Sequence, residues 1–253
     1  MNTQFQALGY CHSTIQLDKE LVLKAKEEAL SLYLDKKLSE NYENSTGIVD
    51  PQQLSRIVHP HLTSAGIRQL ILSKEFQQAA QLVCDSSLIK VWGCQLYIKP
   101  DQSAYSSVGF HTDFQHMPYF GGKVITAWLP LGKFGAHSGS IAYVKGSNLW
   151  SLDIACLGAQ HLQINQQLKD LKSQVSDKYT LDLDVIDCDV GDVFFHSNKT
   201  IHGSGPNQSD EFRVALAIGL VTNETTVDDT VPDYGYGQYI NDETICPTIF
   251  KRT

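Results

Sequence analysis

Residues 190–214 read VGDVFFHSNKTIHGSGPNQSDEFRV. Gly191 and Asp192 make a turn into the apolar run Val193-Phe194-Phe195. The stretch from His202 to Asn207 is dense in Gly, Ser, Pro and Asn, and Arg213 opens a second apolar run. Short runs rich in Val, Ile and aromatic residues, punctuated by turn formers, are the texture of an antiparallel β protein. The two runs are expected to be antiparallel neighbours, which would put Arg213 into the same cavity as His202.

The same texture extends outward. Strands are predicted near 88–99, 107–113, 123–131, 140–144, 180–187, 192–196 and 212–222, with a helix near 158–173. Upstream of Leu88 the pattern is helical. One helix spans Asp18 to Leu38 with Asp18 as N-cap. A second spans Pro51 to Val58 with Asp50 as cap and proline at the first helical position. A third spans Ile67 to Val83. Helices followed by many short strands predict a mainly β fold, a barrel or sandwich with helices packed outside. No linker interrupts it, so residues 1–253 are expected to form one domain. Its parts would be a mostly helical 1–87, a β core over 88–222 and a C-terminal tail over 223–253 that caps the site or mediates dimerisation.

Bulk properties narrow the function. With a net charge of −8 over 253 residues, the chain is a poor candidate for binding nucleic acid or anionic membranes, which demand clustered Lys and Arg. No apolar run reaches membrane-spanning length. The N-terminus MNTQFQALGYCHST has no basic segment followed by an apolar one, so no secretory signal is expected. Cys11, Cys84, Cys94, Cys156, Cys188 and Cys246 lie far apart without a CxxC, against both a zinc knuckle and a disulfide framework. A cytoplasmic protein, monomeric or homodimeric, acting on a small-molecule substrate is the expectation.

The chemistry starts at His111-Thr112-Asp113. On a strand, residues i and i+2 share a face, so His111 and Asp113 can both reach inward. His202, 89 residues beyond Asp113, would complete a set of two imidazoles and one carboxylate. That set suits non-heme Fe(II) and leaves three coordination positions open; catalytic zinc, the competitor, usually keeps one. A buried Arg is costly unless it meets a carboxylate, for which its planar fork is shaped. Arg213 therefore points to a dicarboxylate co-substrate with one end on the metal and the other on the guanidinium. A cupin-type dioxygenase or hydrolase that ignores such a co-substrate, and a non-catalytic binding module, are the alternatives. His196 is read as structural rather than as the ligand. His116 and His137 are read as loop residues, and His59 and His61 as an exposed helix end. Tyr119 and Phe120 are read as core aromatics.

In content, order and spacing the segments FHTD, VITAWLPLGKFGAHSGSIAYVKGSN, GDVFFHS, IHGSGPN and FRVAL resemble the phytanoyl-CoA dioxygenase family of Fe(II)/2-oxoglutarate oxygenases, over residues from about 88 to 220. The resemblance implies a double-stranded β-helix, or jelly roll. It implies Fe(II) held by His111, Asp113 and His202, with 2-oxoglutarate and O2 as co-substrates. It also implies that Arg213, helped by Ser204 and Trp128, holds the far carboxylate of 2-oxoglutarate, and that Tyr97 contacts it. Thr112 stands where the best-known member has a Gln that helps hold 2-oxoglutarate. Gly146-Ser147-Asn148 replaces the usual Gly-Ser-His. Because related halogenases exchange the acid ligand for a small residue, Asp113 implies hydroxylation or a related oxidation, with release of succinate and CO2, over halogenation.

Overall fold

The structure is a computed structural model that describes residues 2–34, 53–151, 153–160, 163–175 and 177–252. In chain order it places helix α1 (Asn2–Leu8), strand β1 (Tyr10–His12), helix α2 (Lys19–Leu34), strand β2 (Ser55–Val58), and helices α3 (Ala65–Ile71) and α4 (Lys74–Cys84). Strands β3 (Leu88–Lys99) and β4 (Val108–His111) follow, then the one-turn helix α5 (Asp113–His116) and strands β5 (Phe120–Pro130) and β6 (Ile141–Val144). Helix α6 (Ile164–Val175) leads to β7 (Leu183–Val185), β8 (Phe194–Ser197), β9 (His202–Ser204), β10 (Arg213–Val227) and β11 (Thr248–Lys251).

Two antiparallel sheets face each other. The larger runs β1-β8-β5-β10-β3-β11 with β2 also on β3, and the smaller runs β4-β9-β6-β7. Alternation along the strands explains the layering, since successive side chains leave opposite faces. Cys94, Leu96 and Ile98 of β3, Val214, Leu216 and Ile218 of β10, and Ile125, Ala127 and Leu129 of β5 share one apolar core with the buried residues of α2, α3 and α4. The intervening residues point between the sheets, where Trp128, Phe194 and Ala215 meet Ile141 and Tyr143. This is the expected mainly β jelly roll with helices outside one sheet. No helix among the described residues is long and apolar enough to cross a membrane.

Several sequence expectations need correction. Residues Ser55–Val58 are not helical: they pair with β3, Ser55 opposite Ile98 and Val58 opposite Gln95. The unpaired edge of β3 outweighs a local cap signal; the cap itself, Asp50 with Pro51, lies outside the described residues. The stretch Ile67–Val83 is two helices, because Ser64 and Ser73 each accept a backbone N–H at a helix start, from Ile67 and Phe76. Such caps contribute on the order of 1 kcal/mol each. Asp18 does cap α2, accepting from Leu21 N–H at 2.8 Å; residues 35–38 of that expected helix lie outside the described residues. The helix expected near 158–173 sits at Ile164–Val175. Helix α1 and strand β1 are additions, β10 continues five residues past the expected 222, and β11 in the tail pairs with Leu88–Lys90.

The runs around Phe194 and Arg213 are not neighbours either. Strand β5 lies between β8 and β10 in the large sheet, and His202 belongs to the small one. Arg213 and His202 thus reach the interior from opposite sheets.

One glycine matters to that interior. Gly139 has φ +65°, and a Cβ there would lie 2.6 Å from the Gly205 carbonyl oxygen and 2.8 Å from that of Pro206. We expect Gly139→Ala to cost about 1–2 kcal/mol from the backbone conformation alone, and more from the contact. Chemical denaturation measures it; an unchanged midpoint would contradict the contact.

Candidate metal and dicarboxylate site

Strands β4 and β9 pair with His111 directly opposite His202, and their ring centroids lie 4.3 Å apart. Each ring is anchored by its own backbone: His111 Nδ1 is 2.7 Å from the Gly109 carbonyl oxygen, and His202 Nδ1 is 3.0 Å from that of Thr200. A carbonyl only accepts, so Nδ1 carries the proton and the Nε2 lone pair is free. Burial disfavours the charged form of both rings; for His202 the neighbouring His111 and His196 lower the pKa further.

Asp113 reaches the same point by another route. The strand ends at His111, Thr112 is the N-cap of α5, and Asp113 is its first residue. Thr112 N–H donates to Gln115 Oε1 at 3.1 Å and Thr112 O accepts from Gln115 N–H at 3.2 Å. The shared strand face expected for His111 and Asp113 is therefore replaced by a strand-to-helix corner. Asp113 Oδ1 lies 3.9 Å from His111 Nε2 and 3.6 Å from His202 Nε2. The donor atoms of these three residues all fall within 4.8 Å of one another. Burial pushes the Asp113 carboxyl up, but the imidazoles of His202, His196 and His111 together hold it well below the usual carboxylate range.

The other end of the interior is cationic. Arg213 is 3% exposed and Lys99 fully buried, and they are register partners on β10 and β3. The Arg213 guanidinium carbon lies 5.2 Å from the Trp128 ring centroid, while its Nε has no hydrogen-bond partner. Lys99 Nζ donates to Ser204 Oγ at 2.6 Å and to the Gly205 carbonyl at 2.5 Å. Among the described residues no carboxylate lies within 4.0 Å of either cation. Burial lowers the Arg213 pKa to about 10; burial and then Arg213 lower that of Lys99 well below its usual value. Isolated buried cations cost several kcal/mol each, and an anion beside this pair would offset that cost.

Tyr97 and Tyr143 link the two ends. The phenols of buried Tyr143 and half-buried Tyr97 are pushed up, first by desolvation and in part by Asp113, and both lie close enough to Arg213 to bear on its charge. Tyr97 donates to Gln95 Oε1.

The structure thus brings His111, Asp113 and His202 to one end, and Arg213, Ser204 and Trp128 to the other, with Tyr97 beside them. Thr112 sits at the corner between His111 and Asp113. Sequence reasoning missed Lys99, although its place two residues after Tyr97 on a predicted strand gave it the same inward face. His196 is not a bystander, for its Nε2 is 3.1 Å from Asp113 Oδ2. His116 is exposed with its ring 5.2 Å from that of His111, and His137 is exposed in a short turn elsewhere. His61 is no exposed helix end: it is 1% exposed, bonds the Ile245 carbonyl at 2.9 Å, and burial takes its pKa down to about 4. Phe120 is core, packed with Met117, Val124 and Val221, and Tyr119 lies against that cluster.

Comparison with known proteins gives the chain a family and a fold. The family model described as Phytanoyl-CoA dioxygenase (PhyH) matches residues 5–215. No curated protein sequence matches the chain. Among solved structures, the non-heme alpha ketoglutarate dependent carbocyclase SnoK from nogalamycin biosynthesis is similar at 20% identity and TM-score 0.70, over 93% of this chain and 88% of that one. The epimerase SnoN in complex with Fe3+, alpha ketoglutarate and nogalamycin RO is similar at 18% identity and TM-score 0.69, over 92% and 86%. EvdO2 from Micromonospora carbonacea var. aurantiaca, complexed with 2-oxoglutarate, is similar at 17% identity and TM-score 0.64, over 90% and 91%. At these identities the likeness is one of fold.

Proposed function

This chain belongs to the phytanoyl-CoA dioxygenase family of Fe(II)/2-oxoglutarate enzymes, and from that premise we propose that it hydroxylates an unactivated C–H bond of a small molecule. His111, Asp113 and His202 would hold the iron. Arg213, Lys99, Ser204 and Trp128 would hold the far carboxylate of 2-oxoglutarate, with Tyr97 along its length and Thr112 beside the metal.

The donor set fits the metal: two imidazoles with Nε2 free and one ionised carboxylate are the ligands non-heme Fe(II) takes while keeping three positions open. Bound there, iron supplies activation of O2 coupled to decarboxylation of 2-oxoglutarate to succinate and CO2. Everything else is positioning. The backbone carbonyls of Gly109 and Thr200 orient the two imidazoles, and the cation pair fixes the length and direction of the co-substrate. The burial of the cationic end excludes water there, which strengthens each electrostatic contact. The observation that carries the reading is the pair of buried cations, Lys99 and Arg213, with no carboxylate partner among the described residues, set inside the same fold as a metal-ready triad.

Asp113 occupies the acid-ligand position, so oxygen insertion is favoured over halogenation. Epimerisation and ring closure, the activities of the similar SnoN and SnoK, are the outcomes that product analysis must separate. The test supplies the protein with Fe(II), ascorbate, O2 and 2-oxoglutarate across a metabolite library. Succinate release and a product one oxygen heavier are expected. Product formation that ignores 2-oxoglutarate would overturn the reading.

Lys99 gives a pH prediction. Its pKa is depressed in the free protein, and a carboxylate beside it raises that pKa on binding. Protons are therefore taken up as 2-oxoglutarate binds, and affinity falls as pH rises through the free-state value. Calorimetry across a pH series in two buffers of different ionisation enthalpy should show, above that free-state value, buffer-dependent heats with the sign of uptake. Identical heats would remove Lys99 from the co-substrate site.

A further inference from the structure

We propose that Tyr143, His196 and Thr126 form a hydrogen-bonded chain that reserves one oxygen of Asp113, so that this residue meets the metal through its other oxygen alone. The inference rests on the metal-site reading above and concerns what keeps the open positions open.

The two carboxylate oxygens have different neighbours. Oδ1 is the atom nearest both His111 Nε2 and His202 Nε2. Oδ2 accepts the Thr126 hydroxyl at 2.6 Å and lies 3.1 Å from His196 Nε2. Thr126 and His196 are register partners on β5 and β8, so the sheet itself sets both donors against one acceptor.

His196 is as close to the site as a ligand would be, with its ring centroid 4.3 Å from that of His202. What separates it from His111 and His202 is the partner of Nδ1. Theirs are carbonyls, which accept and leave Nε2 bare. That of His196 is the Tyr143 hydroxyl at 3.1 Å. Asp113 Oδ2 only accepts, so the proton of His196 must sit on Nε2, and Nδ1 must accept from Tyr143. A nitrogen that carries a proton does not ligate a metal. Packing fixes Tyr143 in this position. It is fully buried and stacked on Tyr10 with centroids 4.4 Å apart, and it pairs with His202 across β6 and β9.

The consequence is a fixed coordination number. A second Asp113 oxygen or a third imidazole on the metal would occupy a position that 2-oxoglutarate or O2 requires. The chain Tyr143→His196→Asp113, with Thr126 beside it, blocks both.

Co(II) is the probe, read by calorimetry for affinity and by visible absorption for coordination. The proteins compared are wild type, Thr126→Val, His196→Phe and His196→Gln. Removing an outer hydrogen bond to a ligand costs roughly 10–100-fold in metal affinity. Thr126→Val and His196→Phe should each lose affinity on that order and alter the Co(II) spectrum. His196→Gln, whose amide N–H can still reach Oδ2, should recover most of it. Wild-type affinity and spectrum in both Thr126→Val and His196→Phe would overturn the chain. So would a Gln variant as weak as the Phe variant, which would reduce His196 to packing. If His196→Phe does not fold, Thr126→Val decides, because Val keeps the shape and removes only the hydroxyl. A wild-type protein that takes up no Co(II) overturns the metal-site reading itself, which keeps the two failures distinct.

Discussion

Replacing His111 or Asp113 by Ala abolishes substrate-dependent succinate formation and reduces metal binding by more than the roughly 10–100-fold that loss of a merely supporting residue costs. The expectation follows from how few donors there are. Among the described residues His111, Asp113 and His202 are the group that converges on one point, and two donors do not close a facial set. Asp113 has the larger electrostatic part. It is the sole carboxylate among the three, its ionised form favoured by the imidazoles of His202, His196 and His111 despite burial. Its loss removes the charge that offsets the metal's. Metal content after dialysis, alongside succinate release, measures both effects. Unchanged turnover in either variant would dismiss the assignment of iron to this triad.

Arg213→Met is the second. Truncating one member of a buried charge pair costs about 2–5 kcal/mol, or roughly 30-fold in affinity at the least. The requirement for 2-oxoglutarate should rise by that factor, with less effect on the rate at saturation. The stability of the ligand-free protein should move the other way. Arg213 and Lys99 are buried side by side without a carboxylate partner among the described residues, so removing one relieves a cost, as it does where buried ions give way to apolar groups of like volume. Ligand-free Arg213→Met is therefore expected to melt at or above the wild-type temperature. 2-Oxoglutarate at about a hundred times the wild-type Kd should stabilise the wild type by roughly 2.7 kcal/mol and the variant by about 1 kcal/mol or less. A variant that is less stable without ligand, yet binds 2-oxoglutarate normally, would make Arg213 a structural residue.

Much of this site is legible in the sequence because it rests on ligand-type residues at telling intervals. His111, Asp113, His202 and Arg213 stand out as a set by residue type and spacing, and the family resemblance adds Trp128 and Tyr97. What the sequence does not disclose is the route by which they meet. The HxD spacing suggests one strand face, yet Thr112 caps a helix and Asp113 turns a corner; a capping signal inside an apolar stretch is easily hidden by strand periodicity. Arg213 and His202 look like neighbours along the chain and meet instead across the gap between two sheets, a relation that only long-range strand order decides. Lys99 escapes notice because a lysine at a strand end beside Pro100 reads as solvent-facing. Its burial depends on Ser204, 105 residues downstream, and on Arg213 beyond it. His196 stands in the GDVFFHS segment and reads as structural, because its contact with Asp113 comes from the pairing of β5 with β8. Ser55–Val58 shows the same limit, a local helix signal overruled by an edge strand needing a partner.

The central claim is that one chain binds one Fe(II) and one 2-oxoglutarate together, the co-substrate joined to the metal at one end and to Arg213 and Lys99 at the other. Anaerobic titration of the Fe(II)-loaded protein with 2-oxoglutarate tests it most directly, by visible absorption. A metal-to-co-substrate charge-transfer band that saturates at one equivalent, and that Arg213→Met shifts to higher 2-oxoglutarate concentration, is the predicted result. No band at saturating 2-oxoglutarate, with Fe(II) bound to the protein, would contradict it.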